Sequence, residues 1–343
     1  MHFSPRGATA VLAGDIGGTK ILLELSRADT LQVLHAGLYS AAEHTGFGAV
    51  LGAFLHGVSS TGVGPLHIDS ACFGIAGPVT GKRVRLTNLP WLIDAEALMR
   101  EFPIDSIALV NDFVAAAHGV DDLGPGSIIR LQAGESAGQG TRVVLGAGTG
   151  FGTAYSVWAD GGYQAAAGEG GHAGFAPADE VQAALWRDIF LREGRVSIEH
   201  VVSGPGLSRI YDYLMRTSKL SESAALRTQL DAGRGPAAIS AHALEGGDAL
   251  ALAALDLFIA CYGAAAGDQA LALMARGGVY VAGGIAAKIL SRLAAGGFAA
   301  AFGAKGVHSA LLARIPLHVV TEPRLGLLGA RRLALRNPTA RSA

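Results

Sequence analysis

Apolar runs broken by glycine and acidic residues divide this chain into short segments. Val11 and Leu12, then Ile21, Leu22, Leu23 and Leu25, flank the polar run AGDIGGTK (13–20). Two strand-like segments around such a run predict a hairpin with Gly17 and Gly18 at its tip. A third strand is predicted over 33–38, a short helix over 48–58 and a buried strand over 70–75. The segment 93–102 reads as a helix, with Asp94 near its start and Pro103 beyond its end. The apolar strand 107–110 then runs into Asn111 and Asp112, and 113–118 reads as helix. Two polar residues thus stand at a strand-to-helix junction, where ligands gather in α/β folds.

The second half repeats this opening. TRVVL (141–145) is predicted as a strand, GAGTGFG (146–152) as a turn and TAYSVW (153–158) as the returning strand. Two glycine-rich hairpins, each beginning a domain-sized half, point to internal duplication. A helix follows over 181–191, and the SGPG turn (203–206) leads into another. A long apolar helix starts after Asp248, and VYV (279–281) is a strand ending in AGGIA (282–286) with a helix behind it. The tail after Asn337 is expected to fray.

Composition adds limits. The chain has 343 residues, 50% of them hydrophobic and 16% charged, with mean hydropathy +0.36. Two domains with a sizeable core are expected, and wholesale disorder is excluded. A net charge of −1 without a basic stripe argues against nucleic acid or an anionic membrane as partner. MHFSPRGATAV lacks the apolar stretch of a secretory signal. The most apolar segment, 249–275, is interrupted by Asp256 and Asp268 and reads as a core helix, not a membrane span. Cys72 and Cys261 lie in apolar surroundings, as buried free thiols of a cytoplasmic protein would. No cysteine cluster is present for a structural zinc. The 49 glycines fall at discrete points beside strand-like runs, so they mark turns and not linkers.

Candidate chemistry gathers at those turns. Asp15 stands just before the first one, where a carboxylate can orient a hydrated Mg²⁺ while backbone N–H groups cradle phosphate. No GxxxxGK[ST] is present, so this is not a Walker loop. GAGTGFG fails the dinucleotide pattern: Phe151 fills its sixth position, and a strand follows instead of a helix. Its four glycines and Thr149 suit a loop around phosphate oxygens, with a merely tight hairpin as the alternative. GEGGHA (168–173) fits the dinucleotide spacing but reads as lacking a preceding strand and a following helix. Asn111 and Asp112 either cap the next helix or offer a carboxylate to a substrate hydroxyl. Glu169 and His172 either decorate a surface loop or bring a carboxylate and an imidazole to one small polar ligand. Glu199 alone reads as an acid favouring a helix dipole. Ala282 to Gly284 is either a tight turn or backbone lying flat against a nucleoside. His35, His44, His56 and His242 show no metal-ligand spacing.

The order of these pieces is more specific than any one of them. LAGDIGGT, AGPVTGKRVRLTNLPW, VNDFVAAA, GAGTGFG, GEGGH, SGPGL, AGGIA and GLLGA follow one another from about residue 11 to 330. This order resembles the bacterial glucokinases of the non-ROK type, within the hexokinase, actin and Hsp70 superfamily. No cysteine-rich zinc motif follows His172, unlike ROK sugar kinases, and a first strand beginning near Val11 is expected to leave no room for the DNA-binding helix-turn-helix of ROK repressors.

The resemblance implies a two-domain α/β fold of the actin-like ATPase type (a duplicated ribonuclease H-like unit) with an interdomain cleft. The smaller domain would cover 1–122, completed by a C-terminal helix near 323–343, and the larger 123–322. Gly14, Asp15, Ile16, Gly17, Gly18 and Thr19 would form the first phosphate loop, with Asp15 holding Mg²⁺ through water. Gly148, Thr149 and Gly150 would form the second, and Gly283 and Gly284 would contact adenosine. Asn111, Asp112, Glu169, His172 and Glu199 would bind the sugar, with Asp112 as catalytic base. AGPV (76–79) resembles the family's substrate-cleft region. The implied activity is ATP-dependent phosphorylation of D-glucose at its 6-hydroxyl, feeding glycolysis, by a cytoplasmic homodimer. A kinase of another hexose, a non-catalytic sugar sensor and a polymer-forming ATPase are the alternatives. The intact Asp112 weighs against the sensor, and the Asn111–Asp112 pair with GEGGH weighs against the polymer.

Overall fold

Short Val-, Leu- and Ile-rich strands separated by glycine turns build two mixed sheets. The structure is a computed structural model and describes residues 9–60, 67–86 and 89–336. Expectations about residues before Thr9, about Thr87 and Asn88, and about the tail from Asn337 lie outside the described residues. The chain divides into two compact units, 1–123 with 323–343, and 124–322.

In unit 1, β1 (Thr9–Ile16), β2 (Lys20–Arg27) and β3 (Val33–Ser40) form an antiparallel meander. Helix α1 (Phe47–Ser59) leads to β4 (His67–Ile75), which lies parallel to β1. A small ribbon of β5 (Arg83–Arg85) and β6 (Leu92–Asp94) precedes α2 (Ala95–Glu101), β7 (Ile107–Asn111) and α3 (Asp112–Gly119). The main sheet has the order β3-β2-β1-β4-β7. The helix expected over 93–102 starts later, because the Asp94 carboxylate accepts from the N–H groups of Glu96 and Ala97 and caps it there.

In unit 2, β8 (Ile128–Gln132), β9 (Arg142–Ala147), β10 (Phe151–Ala159) and β11 (Gly162–Gly168) come first. Helices α4 (Glu180–Glu193), α5 (Ile198–Val201), α6 (Gly204–Thr217), α7 (Ala224–Asp231), α8 (Gly235–Glu245) and α9 (Ala249–Ala272) follow. Then come β12 (Gly278–Ala282), α10 (Gly284–Lys288), α11 (Leu290–Leu293), α12 (Gly297–Gly303), α13 (Ser309–Ala313) and β13 (Leu317–Val320). The sheet order is β11-β10-β9-β12-β13-β8. Strands β11, β10 and β9 are antiparallel, while β9, β12 and β13 are parallel. Three meander strands followed by two parallel ones therefore occur in both units. Only β8 is extra.

Helix α9 is long and apolar enough to cross a membrane by length and composition, yet 67% of its most apolar window is buried inside the protein. Leu255, Phe258, Ile259 and Tyr262 from it pack with Val143, Leu145, Val279 and Val281 of the sheet. It is a core helix.

The last described helix, α14 (Leu325–Arg336), returns to unit 1. Its Leu327, Ala330 and Ala334 close over Val11, Ala13, Cys72 and Ala115. The approach is backbone to backbone: a Cβ on Gly329 would stand 1.7 Å from the Ala115 carbonyl oxygen, and one on Gly119 2.2 Å from that of Leu325. Gly329 of GLLGA and Gly119 are thus required by packing. Arg331 also reaches the buried Glu24 of β2 at 3.0 Å. Cys72 and Cys261 are buried and unpaired, and burial pushes both thiols up, that of Cys72 to about 12.

Candidate active site

The sequence motifs of unit 1 meet at the C-terminal ends of its parallel strands. Register places Asp15 beside Gly74 and Ile75 beside Asn111. The predicted loop 14–19 is shorter than expected: Gly14, Asp15 and Ile16 belong to β1 and pair with Leu23, Leu22 and Ile21. Gly14 is needed there because a Cβ would fall 2.6 Å from the Phe73 ring and 2.8 Å from Leu23. The turn proper is Gly17 to Thr19. The Gly17 N–H donates to the Lys20 carbonyl at 3.0 Å, and the Thr19 carbonyl accepts from Ala41 at 2.9 Å. The N–H groups of Gly18 and Thr19 have no partner among the described residues.

Asp15 is half-buried, and burial raises its pKa to about 6. No cation or hydrogen-bond donor engages its carboxylate among the described residues. An oxygen ligand short of positive charge suits Mg²⁺, so the residues present fit that ion.

Asn111 ends β7 and caps α3. Its Oδ1 accepts from Phe113 and Val114 N–H at 2.9 and 3.2 Å, and its Nδ2 donates to the Gly77 carbonyl at 3.0 Å. That last bond ties the AGPV segment to the strand end. Asp112 opens α3, half-buried, and one carboxylate oxygen accepts from Phe113 N–H at 2.9 Å. Both side chains thus accept from Phe113 N–H at the start of α3, and Asn111 caps Val114 as well.

In unit 2 the turn is Gly148 to Gly150, between β9 and β10. Gly148 N–H donates to the Gly150 carbonyl at 2.8 Å, and the N–H groups of Thr149 and Gly150 have no partner among the described residues. Tyr262 of α9 supports the loop from below, its hydroxyl oxygen accepting from Ala147 N–H at 3.0 Å. Ala282 pairs with Gly146, so AGG lies against the same loop. Gly283 has φ +88°, and a Cβ there would meet the Ala147 carbonyl at 2.9 Å. A Cβ on Gly284 would meet nothing within 4 Å, which leaves that face of backbone open.

The reading that GEGGH lacks a preceding strand is corrected. Strand β11, GYQAAAG, leads directly into it. Its small residues carry little strand signal, and pairing with β10 decides its conformation. After the motif's glutamate the chain makes a short 3₁₀ turn, Gly170–His172, and not a helix. Thr153 holds this turn: its hydroxyl donates to the Gly168 carbonyl at 2.8 Å and accepts from Gly170 N–H at 3.1 Å, fixing both neighbours of Glu169. Arg195 donates to the His172 carbonyl at 2.9 Å, and Ile198 N–H to that of Ala173. Glu169 and His172 are exposed, while Glu199 on α5 is half-buried. Glu199 Oε2 accepts from Phe151 N–H at 2.8 Å. The sequence reading missed Thr153, Arg195 and Tyr262. All three act on backbone far away in the chain, and no local pattern marks them.

One group of possible metal ligands exists among the described residues: His67, Asp69 and Asp105. It is largely exposed at the opposite end of β4, and His67 Nε2 already lies 2.7 Å from Asp105 Oδ2. The pairing joins residues on different elements, which spacing along the chain does not reveal.

A duplicated meander-plus-parallel sheet, with a glycine hairpin in each copy, defines the actin-like ATPase fold. The comparisons narrow the class. A family model described as Glucokinase matches residues 12–337. The chain is 38% identical over 344 residues to the glucokinase of Nostoc sp. strain PCC 7120, covering 96% of this chain and 99% of that one. It superposes on a glucokinase from an Antarctic psychrotroph with TM-score 0.80 at 27% identity, covering 96% and 99% of the two chains. A ROK family glucokinase from Streptomyces griseus, solved with glucose and AMPPNP, shares the fold at TM-score 0.65 and 20% identity, covering 96% of this chain and 100% of that one. The chain belongs to the glucokinase family.

Proposed function

We propose that the protein transfers the γ-phosphoryl group of ATP to the 6-hydroxyl of D-glucose. The observation that carries this reading is full-length membership of the glucokinase family with a carboxylate, Asp112, at the β7–α3 junction. The similar Streptomyces structure with glucose and an ATP analogue supports both substrates.

Phosphoryl transfer leaves little covalent work to the protein, so positioning and charge neutralisation dominate. Asp112 orients the 6-hydroxyl and accepts its proton. Asn111 holds α3 in register and turns its second amide proton to the sugar. Glu169 and Glu199 accept sugar O–H groups, each charged bond worth about 1.5–3 kcal/mol, and His172 donates or accepts. The open N–H groups of Gly18, Thr19, Thr149 and Gly150 donate to phosphate oxygens, with Gly14, Ile16, Gly17 and Gly148 shaping the two turns. Gly283 and Gly284 offer flat backbone to the nucleoside. Mg²⁺, when bound, neutralises phosphate charge, and Asp15 would hold it.

A coupled assay with ATP, Mg²⁺ and a hexose panel tests this. Turnover with glucose, detected as ADP and sugar 6-phosphate in equal amounts, is expected. Turnover on another hexose with none on glucose would overturn the substrate assignment, and sugar binding without turnover on any hexose would indicate a sensor.

A further inference from the structure

The second glycine turn of unit 2 closes on one carboxylate, that of Glu199. Glu199 Oε2 accepts from Phe151 N–H, the residue directly after the Thr149–Gly150 turn. A Cβ on Gly150 would fall 2.5 Å from the same oxygen, so the turn is built around it. A nearby stretch of chain grips the other side of the turn: Gly204 N–H donates to the Gly148 carbonyl at 2.8 Å. Ser203 joins the two grips, its hydroxyl donating to the Glu199 carbonyl at 2.7 Å and accepting from Gly206 N–H at 3.0 Å. Glu199 itself is fixed through Ile198, whose N–H donates to Ala173 just beyond GEGGH. The second glycine hairpin is therefore clamped at its start by Gly204 and at its end by Glu199, with the Thr149 and Gly150 N–H groups left open between.

We infer that Glu199 is a positioning residue for the second phosphate loop as well as a sugar ligand. Oε2 sets the loop while Oε1 stays available to a hydroxyl, so the two substrates share one carboxylate. This rests on the glucokinase reading. The consequence is that nucleotide affinity depends on Glu199 even when no sugar is present.

Two neutral variants separate the roles, because the lost charge cancels between them. In Glu199→Gln the amide oxygen still accepts from Phe151 N–H, whereas Glu199→Ala removes the acceptor. Mg²⁺–ADP affinity is measured calorimetrically on the glucose-free full chain, and glucose KM and kcat by the coupled assay. The expected result is that Ala binds Mg²⁺–ADP about tenfold or more weaker than Gln, as for loss of one buried acceptor, while both raise glucose KM. Amide exchange at Phe151 accelerates in Ala and not in Gln. Equal ADP affinities in the two variants, with glucose KM raised in both, overturn the coupling and leave the glucokinase reading standing. A wild-type protein that binds neither substrate overturns that reading and the coupling with it. If the Ala variant does not fold, Glu199→Ser replaces it: its neutral hydroxyl is too short to reach Phe151 N–H, and the same loss of ADP affinity relative to Gln is expected.

Discussion

The two glycine hairpins occupy the same place in equivalent sheets and take their acids from different sources. In unit 1 the acid is built into the strand: Asp15 lies in β1, two residues before the turn at Gly17. The turn of unit 2 has no acid of its own and takes Glu199 from α5, 48 residues beyond Phe151. The covers differ as well. Unit 2 shields its sheet with α9 from its own interior sequence, whereas unit 1 relies on α14 from beyond unit 2. Duplication has kept the backbone scaffold and left charge and cover to be supplied from wherever the chain passes. A hairpin motif thus predicts the strand order around it far better than its electrostatics.

The contrast is sharpest where unit 1 carries chemistry. Asp112→Ala is expected to lower kcat about 10²–10⁴-fold, with Mg²⁺–ADP affinity unchanged in the absence of sugar. Equal steady-state rates for wild type and variant would remove Asp112 from the mechanism. Next in size is the borrowed cover. Gly329→Ala puts a methyl against the Ala115 carbonyl and forces α14 from α3, destabilising unit 1 by about 1–3 kcal/mol. Calorimetric melting is expected to show a lower first transition, and an unchanged melt would mean that α14 is not needed as a cover.

The smallest effect concerns Asp15. Its folded pKa of about 6 lies above the ordinary carboxylate value, so the unfolded state releases its proton first as pH rises. The metal-free protein is therefore expected to lose stability between about pH 4 and 6. Asp15→Asn is expected to match wild type near pH 4 and to melt higher above pH 7. Melting curves in chelator across that range test this, and a constant difference between the two proteins would exclude Asp15 as the source.

Much of this was legible in the sequence. The two-unit actin-like α/β fold and the family follow from motif order, because each glycine motif marks a strand end that the fold must reproduce. The strand character of Gly14 and Asp15 was not, since both are poor strand formers and only Phe73 and Leu23, from neighbouring strands, show why glycine is needed. Strand β11 was hidden by its alanines. At the site, the cap that Asn111 offered by its place before a helix is present. The Glu199 clamp was invisible because its partner is a backbone N–H, which any residue at position 151 other than proline would provide.

The position of α14 also has a consequence during synthesis. Until it leaves the ribosome, the face of β1 and β4 bearing Val11, Ala13 and Cys72 has no cover from it. At about 5–20 residues per second, translating unit 2 takes on the order of 10–40 s. Unit 2 can meanwhile close on itself, since its sequence is continuous. For that interval the nascent chain carries an apolar sheet face and an accessible thiol that the finished protein hides. Labelling of Cys72 by a thiol reagent is therefore expected to be fastest in chains arrested before the final helix emerges.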